Sequence, residues 1–345
     1  MSNPYSLVFG KEPAQLISRA SQSVSVTEAF CDDQPNQQIF IITGVRGSGK
    51  TVFMNDIAKK IGKMKDWIVV ELNPERDMLE ALVSKLTSEN TFARIFKEAK
   101  INLSFFGIDL EVKGMAPVTD IEVALEKMLT SLQNKGKRIL ITVDEAVNSK
   151  EMRIFASSFQ MMIRKDLPLF LLMTGLYENI NDIQNEKSLT FLYRAPKIEL
   201  SPLNVRAMAD SYRKNCNVAA DVAVEMARMT KGYSFAFQVL GYFTWKNKCF
   251  DEETVQEYKQ YIEDYAYEKI WMEMSAGDKK TAYGIANVPD GKIIDIRKFL
   301  DLETNQFNPY RKRLIKKGII NGKEHGYVTF TLPFFEEYVL YNYDR

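Results

Sequence analysis

Gly44-Val45-Arg46-Gly47-Ser48-Gly49-Lys50-Thr51 fits the pattern G-x-x-x-x-G-K-[ST] over its whole length. A nucleoside triphosphate is a dense anion. It needs backbone N–H groups aimed at it, one mobile cation and a hydroxyl to hold Mg²⁺, and this stretch supplies all three. Gly44, Gly47 and Gly49 carry no Cβ, so the backbone can curl closely around phosphates. Lys50 is placed to reach the β- and γ-phosphates, and Thr51 to put its hydroxyl on the metal. Val45, Arg46, Ser48 and the next residue, Val52, complete the wrapping backbone; Arg46 stands at a variable position and is given no role of its own. Both flanks agree with this reading. Ile39 to Thr43 is a short β-branched, apolar run, read as a buried strand, and Val52, Phe53, Ile57 and Ile61 have helical spacing.

A second strand ending in a carboxylate is required, and Arg138-Ile139-Leu140-Ile141-Thr142-Val143-Asp144-Glu145 provides it. The run reads as a central strand of a parallel sheet, with Asp144 at the carboxyl end, where open α/β sheets bind ligands. Asp144 is expected to hold Mg²⁺ through water and Glu145 to polarise the attacking water. The alternative is that both carboxylates merely cap the following helix. Leu167 to Gly175 reads as a third strand. Its Thr174 is a candidate to hydrogen-bond the γ-phosphate or the attacking water, or else simply marks the strand-end turn. Trp67 to Leu72 reads as a fourth strand. Helices follow from Met78, Leu79, Leu82, Val83 and Leu86, and from Ile121, Leu125, Met128, Leu129 and Leu132. Strands alternating with helices imply an α/β fold with a parallel sheet. Leu103 to Val112 is read as an inserted hairpin.

Composition bounds the rest. The 345 residues suggest two or three domains. The 46 basic and 45 acidic side chains leave a formal charge of +1, so any basic surface must be local. Three scattered cysteines and one histidine argue against a zinc site or disulfide framework and fit a reducing cytoplasm. No signal peptide, membrane span or internal repeat is expected.

With these motifs in place, the chain resembles the archaeal-type P-loop ATPases of the AAA+/STAND group, relatives of the origin-recognition initiators. Asn3-Pro4-Tyr5 and Val8-Phe9-Gly10-Lys11-Glu12 are similar to the group's opening segment, with Lys11 where arginine is usual. The resemblance implies that Phe9 and Gly10 pack near the adenine. Leu192-Tyr193-Arg194, then Ile198 to Leu203, resembles the approach to a helical lid, and implies that Arg194 serves the nucleotide site; Arg153 and Arg164 are second choices. Surface ion pairing is the competing role for all three arginines. Thr230 to Ala236 is similar to the lid's Gly-x-Pro turn, with Ser234 replacing proline. Tyr310 to Ile320, then Tyr327 to Phe330 and Pro333 to Phe335, resembles a C-terminal winged helix. The implied layout is an ATPase core over 1–200, a helical lid over 201–250, and a linker helix with a winged helix over 251–345.

The residues beyond the lid fit that layout. Asn204 can cap a helix, and Lys231-Gly232 is a helix stop. The acidic stretch from Asp251 to Glu268 reads as the solvated face of a connecting helix. Arg311, Lys312, Arg313, Lys316 and Lys317 sit where a winged helix presents its recognition helix, with Asn305 or Asn308 available for base edges and Lys323 on the wing. These residues either meet double-stranded DNA or offset a helix dipole in a domain that packs on protein. ATP and Mg²⁺ are thus the expected ligands. A DNA partner, a protein partner encoded elsewhere and a nucleotide-dependent oligomer remain open, as does negligible turnover.

Overall fold

The computed structural model describes residues 2–8, 13–108, 110–112 and 114–343. Phe9 and Gly10, expected near the adenine, lie outside the described residues, as do Lys11 and Glu12. Two compact units account for the chain. One comprises residues 20–43 and 53–199; the other comprises 1–19, 44–52 and 200–345.

The first unit is built on a five-stranded parallel sheet. Its elements in chain order are α1 (Ala20–Cys31), β1 (Ile39–Thr43), α2 (Lys50–Gly62), β2 (Trp67–Leu72), α3 (Met78–Ser88), α4 (Asn90–Glu98), α5 (Ile121–Gln133), β3 (Arg138–Val143), α6 (Lys150–Ile163), β4 (Leu169–Gly175), α7 (Tyr177–Asn185) and β5 (Lys197–Glu199). The strand order is β2-β3-β4-β1-β5. All seven residues of β4 are buried, as expected of a strand covered on both faces. Strand alternation assigns the faces. Ile39, Ile41, Ile139, Ile141, Val143, Leu169, Leu171 and Met173 join a core with Leu82, Leu125 and Phe155 from the helices. Phe40 and Phe170 point the other way, where the Phe30 ring lies 5.2 and 5.4 Å from theirs.

Helix ends follow side-chain chemistry. Asp77, Asp120 and Ser149 each accept a hydrogen bond from a first-turn N–H, capping α3, α5 and α6. The hairpin expected over Leu103 to Val112 does not form among the described residues. Ser104–Phe106 is instead a 3₁₀ turn closed by Gly107 at φ 68°. The segment never alternates cleanly: Leu103 and Leu110 are buried while Phe105 is 61% exposed, so one strand face has nothing to bury against.

The second unit is helical. Its elements are α8 (Val205–Cys216), α9 (Ala220–Met229), α10 (Ser234–Asn247), α11 (Glu252–Ile262), α12 (Glu268–Met272), α13 (Ala276–Ala286), α14 (Ile293–Leu300), α15 (Thr304–Lys316), β6 (Ile320–Asn321), β7 (Thr329–Phe330) and α16 (Phe335–Asn342). A π-helical turn, Glu263–Tyr267, links α11 to α12. Asn204 caps α8 as expected, accepting from the Ala207 N–H at 3.0 Å. α13, α14 and α15 precede the antiparallel pair β6–β7, the element order of a winged helix. Tyr5 from the N-terminal segment is an integral part of this core. It is 2% exposed, packs against Tyr212 and Phe237, and shares a hydrogen bond with Ser211. A Cβ on Gly241 would come within 2.6 Å of its ring, so glycine is what lets Tyr5 in.

Candidate functional site

Parallel strands put all carboxyl ends on one edge, and the register shows which residues share it. Val143 of β3 is level with Met173 of β4, and Thr43 of β1 with Gly175. Asp144 therefore leaves β3 beside Thr174, while the glycine loop begins at the residue after Thr43.

Thr174 is fully buried, and its hydroxyl has two neighbours. It donates to Asp144 Oδ1 and accepts from the Glu145 N–H at 3.1 Å. The sequence offered Thr174 to the γ-phosphate or to water; the structure puts its proton on Asp144. A buried hydroxyl that donates to one carboxylate oxygen fixes the orientation of that carboxylate. Glu145 is exposed and has φ 51°, in the left-handed region. That conformation costs a glutamate about 1 kcal/mol. Neither carboxylate caps α6, because Ser149 does so, accepting from Met152 N–H at 3.0 Å. The capping alternative is thereby removed. What the strained backbone does is turn Glu145 out of the strand line into solvent.

The glycine loop belongs to the second unit. Gly47 and Gly49 have φ 75° and 89°. A Cβ on Gly47 would lie 2.3 Å from the Tyr233 hydroxyl, so this glycine also admits the Tyr233 side chain. Tyr233 Oη donates to the Arg46 carbonyl at 2.6 Å, Phe235 N–H to the Gly47 carbonyl at 3.1 Å, and Ser234 Oγ to the Ser48 carbonyl at 2.9 Å. Three consecutive loop carbonyls are thus held by three consecutive residues at the start of α10. Burial pushes the Tyr233 hydroxyl well above its ordinary pKa, the nearby Arg46 opposing this, so it stays a donor. Arg46, given no role by sequence, pairs with Glu273 at 3.1 Å just beyond α12. Lys50 Nζ lies against the Gly44 and Val45 carbonyls at 3.0 and 3.1 Å. Lys50, Thr51 and Val52 form the first turn of α2 and are half-buried.

Does the loop fit a nucleotide with Mg²⁺? Ser48 Oγ is buried with no hydrogen-bond partner among the described residues, a polar group that can take one inside the glycine curl. Each unit supplies one hard oxygen donor, the Thr51 hydroxyl in one and the Asp144 carboxylate in the other, and oxygens of this kind suit Mg²⁺. Among the described residues no cluster of three or more His, Cys, Asp or Glu could hold a metal by itself. No helix of these is long and apolar enough to cross a membrane.

The remaining candidates are placed as follows. Arg194 ends a 3₁₀ segment, Lys187–Arg194, and is exposed. Arg153 donates to Asn148 at 3.0 Å, and Arg164 is exposed at the end of α6. Of the basic residues on α15 and just after it, Arg313 and Lys317 face inward. Both bind the 1%-exposed carboxylate of Asp278 on α13, at 2.8 and 3.3 Å, and Arg313 also donates to Ser275. A buried carboxylate needs such partners. Arg311 is half-buried; Lys312, Lys316 and Lys323 are exposed. Asn305 is exposed in the first turn of α15. One residue that sequence patterns miss is Arg19, which lies against the loop. It stands in a polar stretch without pattern, and only the fold reveals its position.

The comparisons with known proteins bear on the fold. Residues 25–167 match a family described as an ATPase domain predominantly from Archaea, and residues 264–339 match a domain of unknown function. No curated protein matches the sequence at a significant level. Among solved structures, the chain is similar to the Walker-type ATPase PABY2304 of Pyrococcus abyssi: 16% identity, TM-score 0.60, covering 94% of this chain and 96% of that one. It is also similar to the ADP form of the ORC2 protein of Aeropyrum pernix: 12% identity, TM-score 0.53, covering 98% and 96%. At these identities the likeness is one of fold. Residues 25–167 therefore match an archaeal-type ATPase domain, and the chain shares the P-loop fold of the Walker-type ATPase and the archaeal ORC protein.

Proposed function

We propose that this protein is an ATP-driven switch: it binds Mg-ATP on the Gly44–Thr51 loop, hydrolyses it slowly, and passes the nucleotide state to its C-terminal winged helix. Lys50 neutralises phosphate charge, Thr51 and Asp144 would hold Mg²⁺, and Thr174 keeps Asp144 oriented. Mg²⁺, when bound, supplies charge neutralisation across the phosphates. Glu145 accepts the proton of the attacking water. Arg194, exposed on its 3₁₀ segment, is the candidate to meet the γ-phosphate, in its own subunit or a neighbour's.

The single observation that carries the switch reading is the tie between the loop and the start of α10. The carbonyls of Arg46, Gly47 and Ser48 are all held by Tyr233 to Phe235, and Arg46 reaches Glu273 beyond α12. A loop that reshapes around a γ-phosphate must then move, or strain, the helices leading to α13–α15. A ligand shifts such an equilibrium only by its differential affinity for the two states, and ATP and ADP differ in the γ-phosphate. Hydrogen exchange across residues 304–332 is expected to differ between the ATP and ADP states, and Tyr233→Phe is expected to shrink the difference. Identical protection in both states would leave a nucleotide-binding protein without a switch.

For the partner, the internal pairing of Arg313 and Lys317 favours protein over DNA. With those two bound to Asp278, Lys312 and Lys316 are left as exposed cations on α15, with Lys323 on the wing. Few phosphate contacts give weak affinity with a shallow salt slope. A labelled DNA duplex is expected to show no tight binding at physiological salt. Tight binding that falls steeply with salt, and is lost in a Lys312→Ala/Lys316→Ala variant, would restore the DNA reading in the manner of initiator proteins. In the favoured reading the chain acts as a STAND-type signalling or defence ATPase whose winged helix meets protein.

A further inference from the structure

Arg19 lies against the phosphate loop and is held there by neutral groups alone. Its Nε donates to the Ser201 carbonyl at 2.8 Å, and its Nη2 to the Ser48 carbonyl and to Ser234 Oγ, both at 3.1 Å. Its Nη1 makes no hydrogen bond among the described residues, and lies 3.5 Å from where a Cβ on Gly49 would stand. It forms no ion pair among the described residues. That is unusual for a half-buried guanidinium, since charges drawn partly out of water are ordinarily paired. Burial pulls its pKa down to about 10, with no opposing charge to hold it up. The loop it grips carries a further sign of affinity for a ligand: Ser48 Oγ is buried without a partner among the described residues.

We propose that a phosphate of the bound nucleotide is the counter-ion of Arg19, which makes Arg19 a second phosphate-directed cation beside Lys50 and a clamp that joins the loop to Ser201 and Ser234. This rests on the nucleotide-binding reading of the loop. It assigns a charge role to a residue from the N-terminal segment. The fixed fork of a guanidinium suits this double role, because one edge stays on the protein carbonyls while the Nη1 side remains for phosphate. The same fork couples ligand binding to loop fastening, because the group that meets the anion is also the one that holds the Ser48 carbonyl and Ser234.

The test uses the full chain and three proteins: wild type, Arg19→Met and Arg19→Lys. Mg-ATP and inorganic triphosphate are titrated calorimetrically at several salt concentrations, and melting is followed without nucleotide. Arg19→Met is expected to weaken both ligands by about 10- to 100-fold, the loss of one charge-assisted contact, with a shallower salt dependence. Arg19→Lys is expected to recover most of the affinity. Without nucleotide, Arg19→Met is expected to melt close to wild type, because it loses three hydrogen bonds to neutral groups but also the cost of holding an unpaired charge partly out of water. Equal ligand affinity in Arg19→Met, or a large fall in its melting temperature with a salt slope unchanged from wild type, would make Arg19 a structural latch and overturn the proposal. If wild type binds neither ligand, the loop reading itself fails and takes this one with it; if wild type binds and Arg19→Met binds equally, only the assignment of Arg19 fails.

Discussion

Glu145→Gln is expected to bind Mg-ATP with wild-type affinity and to hydrolyse it about 10²-fold or more slowly, the scale of a lost general base. The substitution keeps the shape and the backbone of the strand end and removes only the ability to take a proton. The left-handed backbone at Glu145 gives the experiment a second arm. A glycine there adopts φ 51° without the Cβ penalty, so Glu145→Gly is expected to raise stability by about 1 kcal/mol while losing turnover to the same degree. A more stable but inactive protein would show that strain at this position is retained for chemistry. Single-turnover hydrolysis with denaturant melts measures both. Unchanged turnover in Glu145→Gln would reduce the residue to a surface carboxylate.

Lys50→Ala should abolish useful nucleotide binding. A charge-assisted contact to phosphate contributes about 1.5–3 kcal/mol, so affinity should fall at least about tenfold, and by 10²-fold or more if both the β- and γ-phosphates are touched. The structure adds a detail. Lys50 Nζ holds the carbonyls of Gly44 and Val45, so its loss also loosens the beginning of the loop. Calorimetric titration decides the matter: equal affinity for Mg-ATP in the two proteins would refute a phosphate role for this lysine. Salt separates the two contributions, because the Coulomb part is screened and the loop-closing part is not.

The parts of this site that could be read from sequence are those whose signal is local. The glycine loop, the strand before it and the helix after it are contiguous, and the apolar runs of β2, β3 and β4 needed no partner to be recognised. Asn204 as a cap and Lys231-Gly232 as a stop are likewise short-range. What escaped was long-range pairing. Thr174 and Asp144 meet only because β3 and β4 are neighbours in one register, and no spacing within either strand discloses it. Arg313 and Lys317 looked like a basic face until Asp278, far back in the sequence, proved to hold both. Arg19 carried no pattern at all. The Leu103 segment misled for the opposite reason: Phe105-Phe106-Gly107 has strand-like residues, but too few buried positions in alternation to make a strand.

Tyr5, buried in the core of the helical unit against Tyr212 and Phe237, bears on how such proteins can be recombined. The stretch from residue 200 onward is continuous in sequence, yet it folds together with the first residues of the chain and with the glycine loop. Excised alone, it would lose the aromatic ring for which Gly241 makes room, along with the loop carbonyls that Tyr233 to Phe235 hold. It is therefore not a portable cassette. A graft of this C-terminal half onto another ATPase should succeed only if the recipient's opening segment and phosphate loop are exchanged with it. Inheritance of the half must then favour co-transfer of three separated stretches, and substitutions at Tyr5, Gly241 and Gly47 should be tied to one another although they are distant along the chain.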